Sequence, residues 1–485
     1  MRNILSYAVL AVFFLGMGCD QVEDDTLLVQ TEELLFVSGD QVRVSGRVIS
    51  GQSLLLEDHG FYLSENADFS SSKVISLGAK DGPGRFIGEM SGLNAGSDYF
   101  IQSFMNLKGE VIFGNVVEFT TLSAAVDSFA PNFAVPGEEM IILGRNFTAD
   151  TRVFFGEEPA EVLEVRLESL IRVRIPASQV RVVAVRVISQ GNELVFDEPF
   201  EYQSGSVELV SEFPEAIRLK DNVFFQNPMG FWIGLGLANG SEFISYFQRY
   251  QPESNQWEKI SFLGDPRSFA FATEQYLGGG ELEVAREQLE PEFSFYRLGE
   301  NGFQRLEDLD FVSRDSKAFE VNGDLYLLGS QIGGPPYFRK YEASSGSWSV
   351  LPSPPELFNA SHVHFVKDQQ VYLISSENTL WTYHVQSETW AEVGQYPGTL
   401  GLGYGMGQVI GEKAYVGLYR RSGELWELDL NTLEWKSKNS LPPIPQALLV
   451  GHFQHDGFLY LMRGSEVPLP GDLPMKLYKY DPEGI

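Results

Sequence analysis

Arginines, histidines and tyrosines in the second half of the chain are the residues best suited to hold a ligand. Arg218, Arg267 and Arg314 each lie just before a predicted inner strand of a repeating unit. A guanidinium is a planar fork that pairs with a carboxylate through two parallel hydrogen bonds. Three such forks at one mouth would make a receptor for acidic sugars or acidic peptide loops. Tyr337 and Tyr404 fall in loops expected on the same face, where a phenol ring can stack on a sugar. His364 and His452 fall on predicted inner strands and are expected to face a central channel. The competing expectation is that each arginine pairs with a nearby acid, such as Asp265 or Asp315, and that the channel holds only water.

Other chemistries find little footing. His362 and His364 in "SHVHFV" alternate on one strand, but two imidazoles without a carboxylate at suitable spacing are too few for a metal site. Glu307, Asp308 and Asp310 in "RLEDLDF" fit an exposed turn better than a calcium loop. No GxSxG, HExxH, Walker or CxxC pattern stands in a credible setting, and the glycines of "LGLGYGMG" lack the strand-to-helix context of a nucleotide loop. No catalytic residue, metal or cofactor is therefore expected. A net charge of −31 argues against a nucleic-acid partner, which needs basic surface.

The elements that must position the seven ligand candidates repeat. Tyr250 and Trp257, Tyr296 and Phe303, Tyr341 and Trp348, Tyr383 and Trp390, and Leu428 and Trp435 are each seven residues apart around a polar turn. Their second members recur every 42 to 46 residues, the signature of stacked or radial repeats. Upstream of each runs a strand such as "DLYLLGS", "QVYLISS" or "FLYLMRG", giving six units between 205 and 485. The sixth pattern stops after Tyr480. The spare strand in "GSVELVSEFP" (205–214) is therefore expected to pair beside Leu477–Tyr480 and remove an open sheet edge. Aligning the units on Trp232, Tyr276, Tyr326, Tyr372, Tyr415 and Tyr460 places Phe224, Ser268, Ala318, His364, Gly407 and His452 around the channel.

Residues 205–485 resemble a six-bladed kelch-type β-propeller. That resemblance implies that the Tyr/Trp pairs fill the wedges between blades rather than an active site. Kelch propellers include copper–radical oxidases, whose site needs a tyrosine–cysteine crosslink. The single cysteine of this chain, Cys19, lies far from the repeats, so that chemistry is excluded. The family also includes sialic-acid mutarotases, which imply a sugar-modifying enzyme as the alternative function.

The remainder is also β-rich. "LNAGSDYFIQSF", with Leu93, Gly96 and Tyr99, resembles the tyrosine corner of fibronectin type III-like sandwiches over 30–122. "FAPNFAVPGEEMIILGRNF" with "LIRVRIP" resembles an IPT/TIG immunoglobulin-like domain over 123–203. The apolar run of 4–17 ahead of Gly18 and Cys19 resembles a bacterial lipoprotein signal, 1–18, and implies lipid attachment at Cys19. The acidic "DQVEDD" that follows, in a tether over 19–29, resembles the surface-export signal of lipoproteins in Bacteroidota-type bacteria. The expected protein is all-β: two small immunoglobulin-like sandwiches followed by the propeller. It is expected to be a non-catalytic lipoprotein of the outer membrane, facing the cell exterior, with a periplasm-facing placement as the alternative, and binding a glycan or protein partner. A structural or adhesion role in an outer-membrane complex is the further alternative.

Overall fold

Apolar and polar residues alternate along most elements, with glycine or asparagine at the turns, and the chain forms strands accordingly. In Gln41–Ile49 the side chains of Val42, Val44 and Val48 are buried while Arg43 and Arg47 face solvent. The computed structural model describes residues 27–485 apart from 286, 300, 301 and 331–335. The described residues contain no helix. The chain divides into two units. The first runs to Ala177 and includes Val182–Phe200; the second comprises Ser178–Arg181 and Glu201–Ile485. The lipidation expected at Cys19 lies outside the described residues.

The first unit begins with a three-stranded sheet of Leu28–Val37, Gln41–Ile49 and Gly84–Ser91. A four-stranded sheet holds Ser72–Ser76, Asp58–Ser64, Asp98–Leu107 and Glu110–Thr120. Val44, Phe61, Leu63, Ile101 and Met105 are in the core of this part. At the corner anticipated around Tyr99 the buried phenol accepts a hydrogen bond from the Asn94 amide (3.0 Å) and donates one to Glu65 (2.9 Å).

Two further four-stranded sheets follow in the same unit. One joins Ala125–Ala130, Glu139–Arg145, Leu170–Arg174 and Glu161–Arg166; the other joins Glu158–Pro159, Arg152–Phe155, Val185–Ser189 and Asn192–Val195. Gly144 must lack a side chain, because a Cβ there would come within 2.2 Å of the Ala125 carbonyl and 2.4 Å of the Phe147 ring. Asn146 takes the left-handed conformation that turns the chain and buries Phe147.

The second unit contains six four-stranded antiparallel sheets among its described residues. Their innermost strands are Val223–Asn227, Phe271–Ala272, Lys317–Val321, His364–Lys367, Met406–Ile410 and Ala447–His455. The outermost strand of the sixth sheet is Ser206–Glu212, which pairs antiparallel with Lys476–Asp481, Val207 opposite Tyr480 and Leu209 opposite Tyr478. The strand that precedes the first sheet thus completes the last, as expected from the sequence.

Each sheet shares an apolar cluster with the next. Phe225, Phe247 and Tyr296 join the first sheet to the second; Phe295, Leu327 and Tyr341 join the second to the third. Phe338 with Tyr383, Ile374 with Val416, and Met406 with Leu461 continue the series. Phe231, Tyr250, Phe453 and Tyr460 then join the sixth sheet to the first, where the Phe231 and Phe453 rings stack at 4.5 Å. Burying aromatic rings at every junction removes the largest apolar areas available from water.

The Tyr–Trp spacing reflects cross-strand pairing: Tyr250 stands opposite Trp257, Tyr341 opposite Trp348, Tyr383 opposite Trp390 and Leu428 opposite Trp435. The second sheet departs from it. Phe303 faces Leu298, and Tyr296 faces Arg305. There Gly299 pairs directly with Gly302, whereas Gln251 pairs with Gln256 and Glu342 with Ser347, so the hairpin loop is two residues shorter. Both rings still pack against Phe262, at 5.2 Å each.

Candidate functional site

The innermost strands of the second unit enclose a cavity of about 730 Å³. Phe224, Ala318, His364, Gly407 and His452 line it, as the alignment of the repeats expected. Ser268 does not. It is buried and bridges to Glu281, and Ala272 takes its place on the wall. The cause is a short first hairpin in the second sheet. Tyr326, Tyr372 and Tyr460 stand opposite residues seven positions earlier, whereas the Tyr276 carbonyl accepts a hydrogen bond from the amide of Thr273, three positions earlier.

The expected fork of three arginines does not form. Arg218 lines the cavity, but its guanidinium is held by both oxygens of Asp472 (Nη2 to Oδ1 and Oδ2, 2.8 Å each). Arg267 is fully buried and donates to Ser294 Oγ (2.7 Å) and to the Asp265 carbonyl (3.1 Å), so it braces the wall from behind. Arg314 is paired with Glu281 and lies 4.2 Å over the Phe269 ring, outside the set of lining residues. The three stand six, five and four residues before Phe224, Ala272 and Ala318 respectively, so their side chains leave the backbone in different directions. Tyr337 is likewise set back from the cavity, its hydroxyl 2.6 Å from Ser316 Oγ.

Three residues before the channel positions the chain repeats a different feature. Asp221, Phe269, Asp315 and Tyr404 all adopt positive φ, between 51° and 55°, and all four line the mouth. Backbone hydrogen bonds run between these connectors: Phe269 N–H to the Asp221 carbonyl, Asp315 N–H to that of Phe269, and Ala360 N–H to that of Asp315. A left-handed conformation is costly for Phe and Tyr and persists only where surrounding contacts impose it. Here it turns four side chains toward one opening. Tyr404 donates its hydroxyl to Asp315 Oδ1 at 3.3 Å, and burial pushes the Tyr404 phenol pKa up. Burial also raises the carboxyls of Asp315 and Asp221 above the usual range, against the pull of Tyr404 on the first and Lys220 on the second.

Below this mouth stands Lys317, a residue the alignment of site candidates passed over. Its signal in the sequence is positional. The equivalent residues of the other five sheets are Val223, Phe271, Val363, Met406 and Gly451, all without a polar side chain. Lys317 is half-buried and lines the cavity. No described residue lies within hydrogen-bond or ion-pair reach of its amine. Burial lowers its pKa to about 8, with Asp315 partly opposing. His364 and His452 share the cavity and are held neutral by burial and by the nearby lysine, His452 down to about 3. Gln408 Nε2 donates to His452 Nδ1 (2.8 Å), which leaves the Nε2 of that ring carrying the proton. Phe224 packs on His452 at 4.7 Å and Phe319 on His364 at 5.7 Å. His362 sits apart, its Nδ1 accepting from the Asn359 amide (3.1 Å), so the two histidines of "SHVHFV" do not converge. Among the described residues no group of three His, Cys, Asp or Glu is arranged for a metal.

Residues 124–202 match the IPT/TIG domain family and form that domain. No curated protein matches the chain. Solved structures resemble it at low identity. One described as the structure of YjhT is 13% identical with a TM-score of 0.43, covering 55% of this chain and 94% of its own. An auxiliary nutrient binding protein from Bacteroides thetaiotaomicron is 12% identical with a TM-score of 0.36, covering 74% of this chain and 98% of its own. A protein of unknown function from the same organism is 13% identical with a TM-score of 0.26 over the same shares.

Proposed function

We propose that residues 205–485 form a six-bladed kelch-type propeller and that the chain is a binding protein holding a glycan in the central cavity. The observation that carries this is the cavity itself. It encloses an unpaired amine, two neutral imidazoles and the Asp315–Tyr404 pair within walls of Phe224, Ala272 and Ala318. A space of about 730 Å³ is in the usual range for small-ligand sites, with few polar groups set among apolar walls. Carboxylates and a phenol at the mouth suit sugar hydroxyls. Phe224 and Phe269 offer faces for the C–H side of a pyranose ring. The arginines are occupied by their own acids, so an anionic group on the ligand would meet Lys317 rather than a fork.

Such enclosed polar groups favour a small ligand over a protein surface. Residues 30–122 would act as a fibronectin type III-like spacer and, with the IPT/TIG domain, lift the propeller from an outer membrane to which lipidated Cys19 anchors the chain at the cell exterior. Calorimetric titration of the mature protein with mono- and oligosaccharides tests the binding reading. At least one should bind saturably, and Lys317→Met should weaken it about tenfold, or roughly 1.4 kcal/mol. A wild-type protein that binds none of them contradicts the reading. For the anchor, Cys19→Ala should shift the protein from the membrane pellet to the soluble fraction; a variant that stays in the pellet places the anchor elsewhere.

A further inference from the structure

We propose that Lys317 captures the open-chain carbonyl of a reducing sugar as an imine inside the cavity, which makes the reducing end the part of the glycan that enters first. The proposal rests on the reading of the cavity as a glycan site. Its geometric basis is the isolation of the amine. Every other cation described at the mouth is committed to an acid: Arg218 to Asp472, Arg420 to Glu466, and Lys220 beside Asp221 at 3.7 Å. Lys317 alone among the described lining residues presents a cationic group with no such partner. A partly buried lysine with no ion-pair partner loses its proton more readily than an exposed one and becomes a nucleophile. Its lowered pKa agrees with that behaviour.

The surroundings supply the remaining parts. The lone pair of Nζ adds to the carbonyl carbon, forming the C–N bond while the carbonyl π electrons pass to oxygen. His364 is neutral, and no described residue hydrogen-bonds to its ring. It does not compete for the proton released from nitrogen, which passes to that oxygen directly. The C–O bond of the resulting carbinolamine then breaks, and its hydroxyl leaves as water with one more proton, while nitrogen gives up its last. The balance is amine plus carbonyl to imine plus water, with no oxidant or reductant. The apolar walls of Phe224, Ala272 and Ala318 limit the water that would reverse the step. At the mouth, Asp221, Asp315 and Tyr404 are placed to hold the hydroxyls of the same sugar.

Reductive trapping decides the matter. The full-length mature protein is incubated near pH 7 with D-glyceraldehyde, the smallest polyhydroxy aldehyde, and cyanoborohydride, which reduces an imine to a stable secondary amine. Peptide mapping should find Lys317 alkylated roughly tenfold faster than exposed lysines such as Lys73 and Lys108. The rate should climb with pH toward a midpoint near 8, where its amine loses the proton. Lys317→Arg keeps the charge and should abolish the fast adduct while leaving slow labelling of Lys73 unchanged. A Lys317 labelled no faster than Lys73 overturns the proposal. If oligosaccharides still bind in that case, the binding reading stands without the imine. If Lys317 labels rapidly and no glycan binds, the glycan reading falls instead.

Discussion

Lys317 is an expensive residue at the place it occupies. A buried amine without a partner is disfavoured as a cation, and the lowered pKa expresses that cost. The consequence for stability has a definite sign. Between about pH 8 and the ordinary lysine value of 10.5, the unfolded chain holds a proton that the folded chain has released. The Lys317 contribution to stability therefore rises with pH across that window, and its penalty is fully present below pH 8; buried tyrosines such as Tyr383, Tyr396 and Tyr415, raised above the ordinary value of 10.0, act in the opposite direction near that value. Lys317→Met removes the group and keeps most of its volume. The variant should be more stable than the wild type at pH 7 by about 1 kcal/mol, and that advantage should shrink between pH 8 and 10. Thermal melts of both proteins at pH 7 and pH 10 check this. A variant less stable than the wild type at pH 7 shows that the lysine has a structural partner. Retaining a destabilising group is what a site kept for function does.

At the scale of elements, the sixth sheet is completed by Ser206–Glu212. Without that strand, Lys476–Asp481 would present an unpaired edge, and the apolar side chains Phe213 and Leu477 of the shared cluster would lose their cover. Deletion of 206–212 should leave a protein that aggregates on expression or melts well below the wild type, as seen by size-exclusion chromatography and thermal scanning. Unchanged elution and melting would show that the sixth sheet stands without it. This pairing was legible from sequence because the repeat is long and its aromatics sit at fixed registers, Tyr341 opposite Trp348 being typical. The second unit of the repeat was misaligned for a physical reason. Both of its hairpins are short, so spacing counted from Tyr276 pointed to Ser268 when Ala272 is the wall residue. The arginines misled for a related reason. A charge in the sequence does not carry the backbone direction that sends each arginine to its own acid or into the wall. The mouth residues Asp221, Phe269, Asp315 and Tyr404 have no shared chemistry to mark them. Only their common left-handed backbone does, and that is visible in the folded chain.

Across the whole molecule, the two units differ in character. Residues 124–202 are an IPT/TIG domain, and the strands before it enclose an apolar cluster that includes Val44, Phe61 and Ile101. The enclosed cavity with perturbed titrating groups is in the second unit. A charge of −31 spread over 485 residues keeps the exterior hydrophilic and repels polyanions, while the cavity keeps an amine inside. The account therefore assigns ligand capture to the cavity and spacing to the sandwiches. Hydrogen exchange with mass spectrometry, on the full mature protein with and without a bound saccharide, tests that assignment most directly. The account predicts slower exchange in the mouth connectors 217–222, 313–317 and 402–405, with 30–200 unchanged. Protection confined to 30–200, with the connectors exchanging as before, would contradict it.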